Sequence, residues 1–291
     1  MKLTVVGLGL IGGSAALDLK ARGFATRVTG VDSSPEHGRQ ALERGLVDEV
    51  KPLEEALADS ALVIISVPVS GISRVLHHAL ALGQATVTDM GSTKSSICEA
   101  VASHPGRSRY VASHPMAGTE HSGPKAAIAG LFEGKAAVIC DGEQSDPESL
   151  ALVEEMYRAL KMRLVRMGST EHDLHAAYVS HLSHISSFVL ANTVLDKEKD
   201  VDTIFDLASG GFESTVRLAK SSPDMWTPIF EQNRGSVVEA LEAYIGHLTR
   251  FRDSLANGKL DETRRLMENA NRIRGVLARI APRAVDRRNS R

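Results

Sequence analysis

Cysteine is scarce in this chain. Two cysteines in 291 residues cannot build a disulfide framework, and the spacing of Cys98 and Cys140 matches no zinc motif. A reducing cytoplasm fits that usage. An excess of one charge is also lacking, since the formal net charge is −2 at pH 7. That gives no electrostatic reason to expect nucleic acid or an anionic membrane as a partner. No apolar run approaches the ~18 residues of a membrane span. There is no internal repeat and no low-complexity segment. The closing stretch RIAPRAVDRRNSR is basic and reads as a short solvated tail.

What is present is a composition of 43% hydrophobic and 24% charged residues, that of an ordinary globular protein long enough for two domains. The opening MKLTVVGLGLIGGSAAL could pass for a signal peptide. Its glycines, however, fall at the spacing of a cofactor loop, and the segment runs on into an amphipathic helix.

Up to about residue 165, short apolar runs alternate with helical patterns. The runs are LTVVG (3–7), RVTGVD (27–32), ALVIISVPV (61–69), ATVTDM (85–90), RYVASH (109–114), AAVICDG (136–142) and RLVRM (163–167). Such alternation implies a mostly parallel sheet with helices on both faces, and nearly continuous apolar strands agree. After residue 168 the strand signal stops. HDLHAAYVSHLSHISSFVLANTVL (172–195) reads as a buried helix, and 235–258 and 260–279 as further helices with Gly258 as a stop between them. The expected plan is a Rossmann-type α/β domain over 1–167 followed by an all-α domain over 168–291.

Gly7, Gly9 and Gly12 form G-x-G-x-x-G between the first strand and the first helix. Gly7 would permit the tight turn, Gly9 the approach of a pyrophosphate, and Gly12 close packing of helix on strand. Leu10 and Ile11 complete the loop, where free N–H groups of the helix N-terminus meet phosphate. Asp32 ends the second strand, 20 residues after Gly12, where a carboxylate can accept hydrogen bonds from the adenosine ribose. Its charge would repel a 2′-phosphate, and serines follow it rather than arginine, so NAD is favoured over NADP. Ser66, Val67 and Pro68 end a later strand. They could line the nicotinamide edge or simply turn the chain.

The 11 histidines cannot all be functional. His77 and His78 read as surface residues of a helix. His172/His175 and His181/His184 have metal-like i,i+3 spacing, but on a regular helix of about 100° per residue they fall on opposite sides. No metal site is expected. Ser180 and His184 share a face one turn apart and suggest either a lined cavity or a satisfied core histidine. His114 stands at the C-terminal end of a strand, the edge where open α/β sheets bind ligands. Proline follows it, then the small residues MAGT. It is either a general base or a turn histidine bonded to a nearby carbonyl. Ser92 occupies the equivalent end of another strand.

In order and spacing, GLGLIGGS, ISVPV, DMGSTK, SHPMAGTEHSG, SHLSH, SGGFESTVRLAKSSPDMW and IFEQN resemble the prephenate/arogenate dehydrogenase family of tyrosine biosynthesis, over about residues 1–255. The resemblance implies an NAD(P)-binding Rossmann domain and a helical domain that dimerises and completes the active site. It implies oxidative decarboxylation of prephenate to 4-hydroxyphenylpyruvate, or of arogenate to tyrosine. By the same resemblance, His114 assists deprotonation of the ring hydroxyl and Ser92 orients that hydroxyl. Arg217 holds a substrate carboxylate, and His184 with Ser180 faces the substrate side chain. Trp226 walls the pocket, and Thr119 and Glu120 lie at its rim, Glu120 in a polar gate near Arg217. One departure stands out: Glu213 and Ser214 replace a basic–acidic pair common after GGF, so the acid expected at Ser214 is missing.

The resulting expectation is a cytoplasmic, homodimeric, NAD-dependent prephenate dehydrogenase acting on a small molecule, with neither nucleic acid nor membrane as partner. With no ACT-like or chorismate mutase segment in view, any feedback by tyrosine is expected to act at the active site. The alternatives are an arogenate or dual-specificity cyclohexadienyl dehydrogenase, a β-hydroxyacid-type dehydrogenase, and an NAD-sensing regulator without catalysis. The last two give no account of SHPMAGTE or of a Ser92–His114–Arg217 set.

Overall fold

A computed structural model describes residues 1–199 and 203–280; most of the basic tail lies outside them. The strands are β1 (Lys2–Val6), β2 (Arg27–Val31), β3 (Glu49–Val50), β4 (Leu62–Ile65), β5 (Thr86–Asp89), β6 (Tyr110–Pro115), β7 (Ala136–Cys140) and β8 (Arg163–Met167). They form one sheet in the order β3-β2-β1-β4-β5-β6-β7-β8. All pairs are parallel except β6–β7. The seven apolar runs read from the sequence are seven of these strands. The eighth, β3, is two residues long and too short to carry a pattern.

Alternating side chains put β1 and β4 into two cores at once. Leu3, Val5, Leu62 and Ile64 face one, Val6, Val63 and Ile65 the other, and all are at most 4% exposed. Helices α1 (Leu10–Ala21), α2 (Pro35–Glu43), α3 (Leu53–Leu57), α4 (Val69–Leu82), α5 (Ser95–Ala100) and α6 (Pro147–Ala159) connect the strands. The first core takes Ala15, Ala16 and Leu19 of α1 and Val153 and Met156 of α6. The second takes Ile72, Leu76 and Leu80 of α4. Each leucine, isoleucine, valine or methionine side chain so removed from water contributes about 1.5–3 kcal/mol.

Beyond β8 lie α7 (Ser169–Ala176), a π turn (Ala177–His181), α8 (Leu182–Glu198), α9 (Gly210–Val216), α10 (Pro223–Gln232), α11 (Arg234–Ala256), α12 (Leu260–Ala270) and α13 (Ile273–Ile280). Trp226 and Ile229 of α10 belong to the second core. The chain divides into two compact units, Met1–Val237 and a second from Val238 onward.

The expected buried helix over 172–195 needs correction twice. In α8 only Ser187 is buried, while Val189 is 57% and Leu195 47% exposed; apart from Phe188, which packs against the second core, its apolar side chains do not enter the chain's own core. Nor is the helix regular, because the π turn adds about one residue and rotates everything after it by about 100°. The single helix read over 260–279 is broken into α12 and α13.

Candidate active site

The strand order reverses between β1 and β4, which opens a crevice at the carboxyl ends of these strands. The loop after β1 lines it. Gly7 has φ +95°, and a Cβ there would sit 2.5 Å from the Ser66 carbonyl oxygen; a Cβ on Gly12 would fall 2.0 Å from the Gly7 oxygen. Ser66 and Val67 therefore lie directly against the glycine loop, with Pro68 next in the chain. A Cβ on Gly9, by contrast, would meet nothing within 4 Å, so the backbone is open to close approach. Gly9 caps α1 without a side-chain bond, leaving N–H groups of the Leu10–Ile11–Gly12 turn for an anion. The Asp32 carboxylate accepts from Leu8 N and Ser34 N, each at 2.9 Å, and its remaining lone pairs can receive ribose hydroxyls. His37 Nδ1 stands 3.4 Å from it. An open glycine loop, free helix N–H groups and a carboxylate with spare lone pairs are the groups a dinucleotide needs.

His114 is the penultimate residue of β6 and is 8% exposed. Alternation along the strand turns its neighbour Ser113 to the opposite face, where the Ser113 hydroxyl meets Thr88 Oγ1 (2.8 Å), the Asp89 carbonyl (2.7 Å) and Tyr157 OH (2.6 Å). The Asp89 carboxylate, fully buried, accepts from Tyr110 OH at 2.7 Å and Gly91 N at 2.8 Å. It also pairs with the buried Lys94 ammonium. This network fixes the loop carrying Ser92, which is half-buried between β5 and α5.

The imidazole of His114 does not bond a turn carbonyl. Its Nδ1 lies 2.9 Å from His172 Nε2. His172 Nδ1 lies 2.8 Å from Asp173 Oδ1, and Asp173 also accepts from Lys94 N and Ser95 N, both at 2.8 Å. Burial pushes the His114 pKa well below its ordinary value, helped by His172, Lys94 and His181. Burial works against the Asp173 carboxylate, but the His172 bond and the two backbone N–H groups outweigh it and hold that pKa low.

On the α10 side, Asn233 Nδ2 donates to the Asp173 carbonyl at 2.7 Å and lies 3.2 Å from His181 Nδ1. The π turn explains how His181 reaches this position: a regular helix would have carried it away from His172 and Asp173. Gln232 ties two loops together. Its amide donates to the Val69 carbonyl beside Pro68 at 3.0 Å, and its oxygen accepts from Thr93 Oγ1, next to Ser92, at 2.6 Å.

His184 stacks on Trp226, ring centroids 3.6 Å apart, and its Nδ1 bonds the Ser180 carbonyl at 3.1 Å. The Ser180 contact is thus made by backbone rather than hydroxyl. The Trp226 indole N–H is buried with no partner among the described residues, so a ligand oxygen could accept from it. Arg217 lies 3.5 Å from Glu120 and is about half exposed. Ser214 bonds the Gly211 carbonyl of its own helix at 3.0 Å, and Glu213 stands 3.9 Å from Lys220. Glu120 therefore serves Arg217 as an acidic neighbour although Ser214 cannot. Thr119 is exposed and accepts from His121 N at 3.2 Å.

Two clusters result: the glycine loop with Asp32 and Ser66–Pro68, and the buried His114 with its His172–Asp173 partners, linked through Asn233 and His181 to Trp226 and His184. The sequence reading did not pick out Asp89, Lys94, Asp173, Gln232 or Asn233, and it treated His172 and His181 only as candidate ligands.

A dinucleotide crevice with a buried, uncharged imidazole at the same sheet edge defines a dinucleotide-dependent dehydrogenase. Two family models cover most of the chain: the nucleotide-binding domain of prephenate dehydrogenase over residues 15–166 and its dimerization domain over 168–269. The chain belongs to the prephenate dehydrogenase family. It is 31% identical to prephenate dehydrogenase of Bacillus subtilis, across 87% of this chain and 70% of that one. Among solved structures it is similar to prephenate dehydrogenase of Aquifex aeolicus in complex with hydroxyphenyl propionate and NAD+ (TM-score 0.87, 29% identity, 95% of this chain and 98% of that one). It is also similar to Synechocystis arogenate dehydrogenase (TM-score 0.78, 31% identity, 95% and 100%).

Proposed function

We propose that this protein is an NAD-dependent prephenate dehydrogenase that oxidatively decarboxylates prephenate to 4-hydroxyphenylpyruvate. The observation that carries the reading is His114: buried, held neutral, and standing at the carboxyl edge of the sheet onto which the glycine loop also opens. Bound there, NAD supplies the hydride acceptor. His114 draws the proton from the ring hydroxyl, and Ser92, on the neighbouring loop, orients that hydroxyl. Arg217, with its planar fork of donors, holds a substrate carboxylate. His184 and Trp226 form the apolar wall beside the substrate, and the free indole N–H offers it a hydrogen bond. Glu120 at the rim, with Thr119, keeps Arg217 oriented when the pocket is empty. Ser180 acts by fixing the His184 ring.

A division of labour at 167/168 belongs to this reading, supported by the sheet ending at Met167 and by the two family models meeting there. So does a homodimer formed through the helical part, supported by the matched dimerization domain and by an exposed apolar stripe on α11. A cytoplasmic setting is supported by two free, buried thiols. No helix among the described residues is long and apolar enough to cross a membrane.

Steady-state kinetics with prephenate and arogenate, each with NAD and NADP, test the assignment. The expected outcome is turnover of prephenate with NAD well above the other three combinations, because Asp32 disfavours the 2′-phosphate. A preference for arogenate would replace the substrate, and equal use of NADP would remove the role given to Asp32.

A further inference from the structure

We propose that His172 and Asp173 are positioning residues that hold the His114 proton on Nδ1, leaving Nε2 as the bare nitrogen that meets the substrate hydroxyl. The argument follows the protons outward from Asp173. Its carboxylate already accepts two backbone N–H bonds, and an ionised carboxylate can only accept. The hydrogen between it and His172 therefore sits on His172 Nδ1. As part of the proposal, His172 carries that proton alone, so its Nε2 presents a lone pair. One proton must lie between that atom and His114 Nδ1, 2.9 Å away, so His114 donates it. Only Nε2 remains to accept from substrate. Free histidine prefers the opposite tautomer, with its proton on Nε2, so the structure must impose this one.

The chain of three is also built not to swing. Lys94 N and Ser95 N grip both carboxylate oxygens, while Asn233 holds the Asp173 carbonyl. The charged and titratable groups around His114 are Lys94 with its partner Asp89 on one side and His172, Asp173 and His181 on the other.

The proton balance of the reaction gives the pair a second task. As the hydride leaves the ring carbon, the hydroxyl proton passes to His114 Nε2. The bond to the ring carboxylate then breaks, carbon dioxide departs, and the electron pair completes the aromatic ring. The ring oxygen becomes a phenolate and takes the proton back from Nε2. No proton is released overall; His114 keeps it only between the two transfers. During that interval the imidazolium still donates from Nδ1 to His172, whose other nitrogen donates to Asp173, so the anion stabilises the charge through one intervening ring.

The test combines a tautomer measurement with kinetics. In protein labelled with ¹⁵N-histidine, long-range ¹H–¹⁵N correlations, assigned with His114→Asn, report which His114 nitrogen carries hydrogen at neutral pH without cofactor or turnover. The expected result is Nδ1–H in the native protein and a shift toward Nε2–H in His172→Phe. His172→Phe should lower kcat by about 10²-fold, the scale on which loss of general-base function is felt. The KM for prephenate and the Kd for NAD should stay within about 2-fold. His172→Gln, whose amide oxygen can accept from His114, should recover part of the rate. An Nε2–H His114 in the native protein overturns the proposal, whether or not the variants fold; so does His172→Phe turning over at the native rate. The inference rests on His114 being the base. Near-normal turnover of His114→Asn would end that reading, whereas an inactive His114→Asn with a native Nε2–H tautomer would end this one alone.

Discussion

At the scale of single residues, burial and the neighbouring His172, Lys94 and His181 keep His114 uncharged. As the proposed base, His114 must be unprotonated to act, so the acid limb of kcat/KM should report the pH at which the free enzyme's imidazole takes a proton. An ordinary histidine would lose activity as pH falls through about 6.5. Here the expected limb lies clearly below that value. His114→Asn should lower turnover by about 10²-fold or more, with substrate binding less affected, and should abolish the limb. A native limb at or above pH 6.5, or a variant with near-normal kcat, would remove His114 from the chemistry. The strand-end position of His114 was legible in the sequence because the run RYVASH is short with an apolar centre and proline comes next, the residue on which β6 ends. Its partners were not, since His172 lies 58 residues away and meets it only through the folding of the sheet edge.

At the scale of elements, the sheet was legible because its central strands, buried on two faces, are apolar nearly throughout, and the partly buried β2 and β8 still carry short apolar runs between helical patterns. The π turn was not. Hydrophobic periodicity assumes 3.6 residues per turn, and nothing in AAYVSH marks the inserted residue that swings His181 toward Asp173. Burial of 172–195 was misread for a different reason: apolar residues mark a face that leaves water, without saying whose surface covers it. The same ambiguity makes α11 informative. Val238, Ile245, Leu248 and Leu255 are each about half exposed, and at about 100° per residue they fall within one stripe about 100° wide. Such a stripe on one helix of a matched dimerization domain is expected to lie in the subunit interface. Leu248→Asp should therefore shift sedimentation equilibrium from dimer toward monomer while α-helical circular dichroism is retained. A native protein that sediments as a monomer, or a variant that stays fully dimeric, would exclude the stripe from the interface.

At the scale of the whole molecule, the site's histidines tie stability to pH. His181 is 1% exposed, and burial, partly offset by Asp173 and reinforced by His172 and His184, lowers its pKa to about 4. His114 and His184 are shifted in the same direction, each chiefly by burial. In the unfolded chain all three titrate near 6.5. Between pH 6.5 and about 4 the unfolded state therefore binds protons that the folded state refuses, and stability falls as pH is lowered through that window. For His181 alone the loss across the window is about 3 kcal/mol, at about 1.4 kcal/mol per pH unit. Urea unfolding at fixed protein concentration, from pH 7.5 down to pH 4.5, should show this decline. His181→Gln removes one of the titrating groups, so its stability should fall less steeply even where its contacts with Asn233 and Trp226 leave it weaker at pH 7.5. Parallel slopes for the native protein and the variant would mean that His181 takes up its proton equally in both states, and that the aromatic cluster around Trp226 does not exclude water from it.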